Sequence, residues 1–250
     1  EIADRDWSSD VCSSDLGLSA LRVNAPRYNG EIVPGQDLSL LLMTLVDGLE
    51  DGDIVVVSSK AVAKAEGRVV EVEGLQERQR LIESETVREV AWRDTSAGRV
   101  SVVENRLGIV GAAAGIDTSN VAPGSAVLLP VDPDGSARRI RAGLRRLTGR
   151  NVAVVVTDTL GRPWRRGQTD VAIGCAGMIP LLDLAGAMDP YGNTLRVTAP
   201  AVADEVAAAA ELTMRKTDGR PMAVVAGLNH LVLSAPTRSE ERRVGKECRS

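Results

Sequence analysis

The apolar run Val152-Ala-Val-Val-Val ends in Thr157-Asp158-Thr159. A strand end is a rigid mount for a carboxylate, and a hard divalent cation takes oxygen ligands of this kind. Arg162, Arg165 and Arg166 follow in the next segment, and guanidinium groups suit phosphate or carboxylate. On spacing alone, Asp158 capping a turn beside solvated arginines fits as well. A second segment, Gly111-Ala-Ala-Ala-Gly-Ile-Asp117-Thr118-Ser119-Asn120, combines small residues with oxygen donors. Asp117 and Asn120 offer contacts to metal or nucleotide from one turn, and an ordinary Asx turn accounts for them equally. In a third, Ser58-Ser59-Lys60-Ala-Val-Ala-Lys64, a serine cap precedes two lysines four apart on one helical face. That pattern suits an anion or a capped surface helix. In Asp132-Pro133-Asp134 through Arg141, acids lead and bases follow, as a helix dipole favours without any ligand. Trp164 fits a stacking platform or a loop anchor. Cys175, between apolar neighbours, reads as core, and His230 is given no role.

Oxygen donors for a metal and Lys/Arg for phosphates together suit metal-assisted phosphoryl chemistry, in which catalysis is positioning plus neutralisation of charge. With one histidine in 250 residues, oxygen ligands are the expected kind. Neither GxxxxGK[ST] nor GxGxxG occurs, so neither familiar phosphate loop is present. A net charge of −4 gives no general drive towards nucleic acid. No apolar run is long enough to span a bilayer as a helix. With 44% hydrophobic residues, 2% aromatics and no phenylalanine, the core must be built from Val, Leu, Ile and Ala.

The two ends differ from the middle. Residues 5–16 and 238–250 lack helical or strand periodicity, and Asp6–Asp15 and Arg238–Cys248 resemble translated short-read sequencing adapter, so 1–16 and 238–250 are set apart. Both are read as non-native tails. On this reading they flank a body, residues 17–237, expected to be truncated at both ends. Without residues 1–16 and 237–250, the remainder has 24 basic and 26 acidic residues, and Cys175 as its one cysteine. A lone cysteine closes no internal disulfide, so a reducing compartment, the cytoplasm, is expected.

The elements that must hold these residues are mixed. Strands are predicted at 18–23, 54–57, 68–72, 100–103, 107–110, 126–129, 152–156, 171–175, 195–198 and 222–225. Helices are predicted at 38–46 behind an Asp37 cap, just after Ser58 or Ser59, and at 76–92, 136–147 and 202–214. Several strands are joined by short turns that favour antiparallel pairing. The expected class is therefore α+β rather than a doubly wound parallel sheet.

The strings DGDIVVVSSKAVAKAEGRVV, ENRLGIVGAAAGIDTSNV, LLPVDPDGSARRIRAGL, VAVVVTDTLGRPWRRGQTDVAIG, DPYGNTLRVTAPAVADEVAAAAEL and PMAVVAGL occur in this order. Together they closely resemble the coenzyme F420-0:L-glutamate ligase family, including the ligase domain of the two-domain mycobacterial type, over roughly residues 18–228. The resemblance implies a two-lobed α+β fold and an intertwined homodimer. It implies phosphorylation of the terminal carboxylate of F420-0 by GTP, then attack by the amine of L-glutamate on the acyl phosphate. Further glutamates would be γ-linked. It also implies Mg²⁺ or Mn²⁺, with two metal sites, and in some members a response to K⁺. The implied partners are small molecules, with neither nucleic acid nor membrane involved.

Carried over residue by residue, Asp117 and Asp158 match first-metal ligands and Thr159 a second-metal ligand. Ser59, Lys64 and Asn120 match GTP contacts. By the same reading Asp158 and Lys64 are the catalytic pair, Lys64 neutralising the phosphate charge that builds as GDP leaves. Asn29-Gly30-Glu31-Ile32 aligns with an N-terminal GTP-binding segment in which proline is common where Gly30 stands. Met214–Pro221 aligns with a nucleotide-contacting loop whose Gln or Glu reaches the second metal. This chain has Lys216 there, and an ammonium ligates no cation. The family's usual arginine is Ala226 here. One of Arg162, Arg165 and Arg166 is expected to hold the phosphodiester or a carboxylate of F420-0. A non-catalytic nucleotide- or flavin-binding module and a metal-dependent phosphohydrolase remain as competing readings.

Overall fold

The computed structural model describes residues 20–95 and 98–234; the proposed tails, 1–16 and 238–250, lie outside them. The strands are β1 (Arg22–Asn24), β2 (Ile54–Ser58), β3 (Val69–Glu71), β4 (Thr86–Thr95), β5 (Gly98–Asn105), β6 (Val110–Ala112), β7 (Ser125–Val127), β8 (Ala153–Gly161), β9 (Gln168–Ala176) and β10 (Met222–Ala226). The α-helices are α1 (Leu38–Leu45), α2 (Ser59–Ala65), α3 (Gly74–Glu85), α4 (Pro133–Thr148) and α5 (Val202–Met214).

Five strands form the main sheet in the order β1-β10-β2-β8-β9. Only β2 and β8 pair in parallel within it; the other pairs are antiparallel. The central strands are apolar on both faces because both faces are covered. Ile54 and Val56 join Val155, Val206, Ala207 and Ala210 on the α5 side. Val55 and Val57 join Leu42, Leu144, Val154 and Val156 on the side of α1 and α4. Val, Ala, Leu, Ile and Met fill these layers, as the lack of aromatics requires. A third apolar cluster, with Ile82, Val103, Ile116 and Ala126, ties α3 to the sheets β4-β5-β6 and β3-β7. The class is mixed α and β, as expected.

The helix predicted over 76–92 is instead α3 followed by β4. Ile82 is the buried residue of α3. From Thr86 onward the β-branched Thr86, Val87 and Val90 fall within the β4–β5 ladder, where cross-strand pairing replaces helical packing. The strand predicted at 195–198 is a loop: Leu195 N–H donates to Ala187 C=O, Leu184 N–H to Thr198 C=O, and Val197 is exposed. The segment 107–110 is mostly a turn, in which Asn105 Oδ1 accepts from the N–H groups of Leu107 and Ile109. Strand β6 begins only at Val110.

The predicted caps at Asp37 and Ser58 form. Asp37 accepts from the N–H groups of Ser39 and Leu40 at the start of α1. Helix α4 starts three residues earlier than the predicted 136, because Asp132 accepts from Gly135 N–H; its C-cap is Gly149 at φ 72°. The Ser39 hydroxyl leads the causes that hold the Asp37 carboxyl below its ordinary value. A lowered value stabilises the fold above the ordinary carboxylate range, and that stability is lost as pH falls through the folded value. Asp37→Ala is expected to lower stability by about 1 kcal/mol at neutral pH. Thermal melts should show the difference shrinking as the buffer is made acidic.

Candidate functional site

Strands β2 and β8 run side by side from Ile54↔Ala153 to Ser58↔Thr157. Ser59 and Asp158 therefore emerge at the same end of the parallel pair, the end at which open sheets bind ligands. Beyond them lies a cleft of about 860 Å³, lined among others by Ser59, Lys64, Asp117, Asn120, Asp158 and Thr159. The β8–β9 register shifts between Val156 and Thr157. An irregularity of this kind re-aims side chains next to a site.

The Ser59 hydroxyl donates to Asp158 Oδ1 at 2.8 Å. Burial pushes the Asp158 carboxyl up to about 6, against the Ser59 hydroxyl and the Thr159 N–H, which hold it in the charged form. Asp117 is pinned differently. Lys60 Nζ lies 2.8 Å from its Oδ2, and Ser119 donates its N–H to Oδ1 at 2.7 Å and its hydroxyl to Oδ2 at 2.9 Å. Burial raises the Asp117 carboxyl, but the Lys60 ammonium and the Ser119 N–H outweigh it and hold it below the ordinary value. Lys64 Nζ is 3.9 Å from Glu31 across the cleft. Gly30, Glu31 and Ile32 line the cleft, while Asn29 beside them is exposed and lies outside its lining. A β-carbon at Gly30 would run into the Tyr28 ring.

Sequence reasoning did not single out Asp170 or Glu211. Asp170 is buried and faces Thr159 across the β8–β9 ladder, where the Thr159 hydroxyl donates to its Oδ1 at 2.5 Å. Lys216 Nζ hydrogen-bonds Thr159 Oγ1 and lies 3.2 Å from Asp170 Oδ1 and 3.4 Å from Glu211 Oε1. Asn120, at φ 54°, donates its side-chain amide to Lys216 C=O at 3.2 Å. A regular β8–β9 hairpin would have been the signal for Asp170, since it sets Thr159 opposite it. Arg162, Arg165 and Arg166 are outside the cleft lining, in the segment joining β8 to β9, where Arg162 hydrogen-bonds Arg166 C=O.

The donors suit one hard cation better than two. Asp158 accepts from one side chain, and Asp117 keeps lone pairs beyond the three contacts above. A buried carboxylate raised by burial is stabilised by a cation. Among the described residues no three His, Cys, Asp or Glu side chains cluster tightly enough to hold a metal unaided. A Mg²⁺ site needs no such cluster, since one or two carboxylates act with substrate phosphates and water. At Thr159 the fit fails: its hydroxyl is engaged by Asp170 and by the Lys216 ammonium.

The F420-0:gamma-glutamyl ligase sequence profile matches residues 29–227. The chain is 39% identical over 225 residues to the coenzyme F420:L-glutamate ligase of Methanopyrus kandleri, covering 85% of this chain and 89% of that protein. It is 40% identical over 229 residues to the protein of that name from Methanothermobacter thermautotrophicus, covering 85% and 90%. The Archaeoglobus fulgidus protein of the same name is 40% identical over 238 residues, covering 87% and 93%. Among the described residues no helix is long and apolar enough to cross a membrane. On these similarities, over nearly the whole described body, the chain belongs to the F420-0:gamma-glutamyl ligase family of enzymes.

Proposed function

We propose that this enzyme uses GTP to join L-glutamate to coenzyme F420-0, and further glutamates through the γ-carboxylate, by way of an acyl phosphate. The reading rests chiefly on the cleft at the ends of β2 and β8, whose lining brings together Asp158, Asp117, Lys60 and Lys64. Asp117 and Asp158 would hold Mg²⁺ or Mn²⁺, which when bound neutralises charge on the phosphoryl oxygens. The Ser59 hydroxyl fixes the Asp158 rotamer, and Lys60 with Ser119 fixes Asp117. Lys64, already on the cleft wall, neutralises phosphate charge as GDP departs. Gly30, Glu31, Ile32 and Asn120, which line the cleft, would touch the nucleotide, together with the neighbouring Asn29.

The chemistry runs in two displacements. A carboxylate oxygen of F420-0 attacks the γ-phosphorus of GTP, and the bond to the β-phosphate oxygen breaks, releasing GDP. The glutamate amine then attacks the acyl carbon; inorganic phosphate leaves and the amine gives up a proton. One of the hairpin arginines, just beyond the lining residues Gly161 and Gln168, is proposed to hold an anionic group of F420-0.

The homodimer belongs to the same proposal. Val87, Val90, Trp92 and Val100 are exposed on the β4–β5 hairpin, and a second copy would remove them from water. The cytoplasm is the proposed compartment; Cys175, the one described cysteine, is a buried free thiol.

The test is incubation with F420-0, GTP, L-glutamate and Mg²⁺ or Mn²⁺, followed by mass spectrometry. The expected result is F420-0 heavier by one or more glutamyl units, with GDP formed only when F420-0 is present. GDP released without F420-0 would identify a phosphohydrolase instead. Nucleotide binding with no product at all would identify a binding module.

A further inference from the structure

Lys216 stands where oxygen atoms from three separate elements converge. Thr159 comes from β8, Asp170 from β9 and Glu211 from α5, and the Lys216 ammonium bonds or pairs with all three. Asp170 is buried, its side chain 3% exposed. A buried carboxylate without a counter-charge is costly, and removing one partner of such a pair leaves that charge uncompensated.

The backbone is shaped to deliver this side chain. Arg215, the residue that ends α5, adopts φ 55° and ψ 146°, a left-handed value that a side-chain-bearing residue seldom takes. Sharp redirection of the chain at that point carries Lys216 back towards β8. Asn120, itself at φ 54°, then holds the Lys216 carbonyl at 3.2 Å. The loop, the ammonium and the acidic pocket thus fit each other with no added ion.

We propose that Lys216 is a resident cation of the active site, filling the Thr159–Asp170–Glu211 pocket so that the enzyme takes one divalent metal per chain rather than two. An ammonium offers no lone pair to a metal and repels one. A metal entering this pocket would have to displace Lys216 from two carboxylates and a hydroxyl. The positive charge also keeps Asp170 and Glu211 from repelling a polyphosphate in the cleft. Lys216 is therefore a positioning residue, acting through Thr159, Asp170 and Glu211.

The inference rests on the proposed metal reading of Asp117 and Asp158, but its test separates the two. Free Mn²⁺ is counted by electron paramagnetic resonance during titration of the full chain in the presence of GDP. The expected stoichiometry is one Mn²⁺ per wild-type chain, one for Lys216→Arg and two for Lys216→Gln. Adding Asp158→Asn to Lys216→Gln should remove one of its two ions and leave the new one. If wild type binds none and Lys216→Gln binds one, Lys216 excludes metal as proposed, and it is the Asp117/Asp158 reading that fails. Two ions in wild type, or the same count in wild type and Lys216→Gln, would overturn the proposal. A wild-type count of two decides against it even if the glutamine variant does not fold.

Discussion

Asp158→Asn is expected to slow glutamyl product formation by on the order of 10²–10³-fold or more while leaving the protein folded. Removing one preorganised electrostatic group from a reacting phosphoryl or acyl centre has effects of that size. The amide fits the same volume and still accepts from the Ser59 hydroxyl, which lies 2.8 Å from Oδ1 in the wild type. What it loses is the negative charge that would hold a divalent cation against phosphate. Stability should move the opposite way. Burial raises the Asp158 carboxyl to about 6. A group raised in the folded state contributes stability that is full below its unfolded value and lost as pH rises through about 6. The metal-free asparagine variant carries no such loss, so its melting temperature relative to wild type should rise between about pH 4 and pH 7. Full activity in the asparagine variant would refute the metal role. Lost activity with an unfolded circular-dichroism spectrum would show that Asp158 serves the fold.

A large stability effect is expected at Gly174, where no catalytic group is involved. Its backbone is pressed against the start of α4. A β-carbon there would lie 2.5 Å from Pro133 C, 2.6 Å from Pro133 Cβ and 2.7 Å from Asp134 N. Two of these are backbone atoms, so no rotamer change relieves the clash; either α4 or β9 must move. Asp134 Oδ1 also accepts from Cys175 N–H at 2.9 Å, tying the same two elements at the next residue. Overpacking typically costs about 1–3 kcal/mol, and a backbone clash belongs at the upper end. Gly174→Ala should therefore lower the melting temperature by roughly 6–12 °C, at about 2–4 °C per kcal/mol for a domain of this size. Gly161→Ala is the matched control, because nothing lies within 4 Å of the added carbon. Equal melting temperatures for the two variants would mean that the α4–β9 contact yields freely.

The sequence made the central strands and their caps legible because those features are local. Val152–Val156 is apolar throughout since both its faces are covered, and Asp37 and Ser58 precede helices that begin immediately after them. The α3–β4 boundary was not legible: Val87 and Val90 fit helical spacing, and only pairing with β5, a distant partner, sets them in a strand. The site divides in the same way. Asp158 stands out at the end of its strand. Asp170 does not, because its importance lies in facing Thr159 across a hairpin. Lys216 was visible as a departure from the family pattern, but its contacts with Asp170 and Glu211 depend on a left-handed turn at Arg215 that side-chain types do not announce. Lys60 and Lys64 share a helical face in the sequence, and the structure sends them to different carboxylates, Asp117 and Glu31.

The strand order β1-β10-β2-β8-β9 also governs when the enzyme can come into being during synthesis. The middle strand, β2, leaves the ribosome long before either neighbour, since its partners are β8 and β10. Strand β1 waits longer still, as its ladder is with β10. Closing such distant contacts makes folding slow, because loop-closure entropy must be met before the pairing rewards it. Until Met222–Ala226 emerges, a nascent chain carries the apolar strand β2 with an open edge. Such an edge invites pairing with other chains. Ser59 and Asp158 are 99 residues apart in sequence, so the cleft they share has no precursor in an early fragment. Ribosome-stalled chains ending before residue 222 should therefore depend on chaperones and bind no nucleotide, and extension past Ala226 should relieve both defects together.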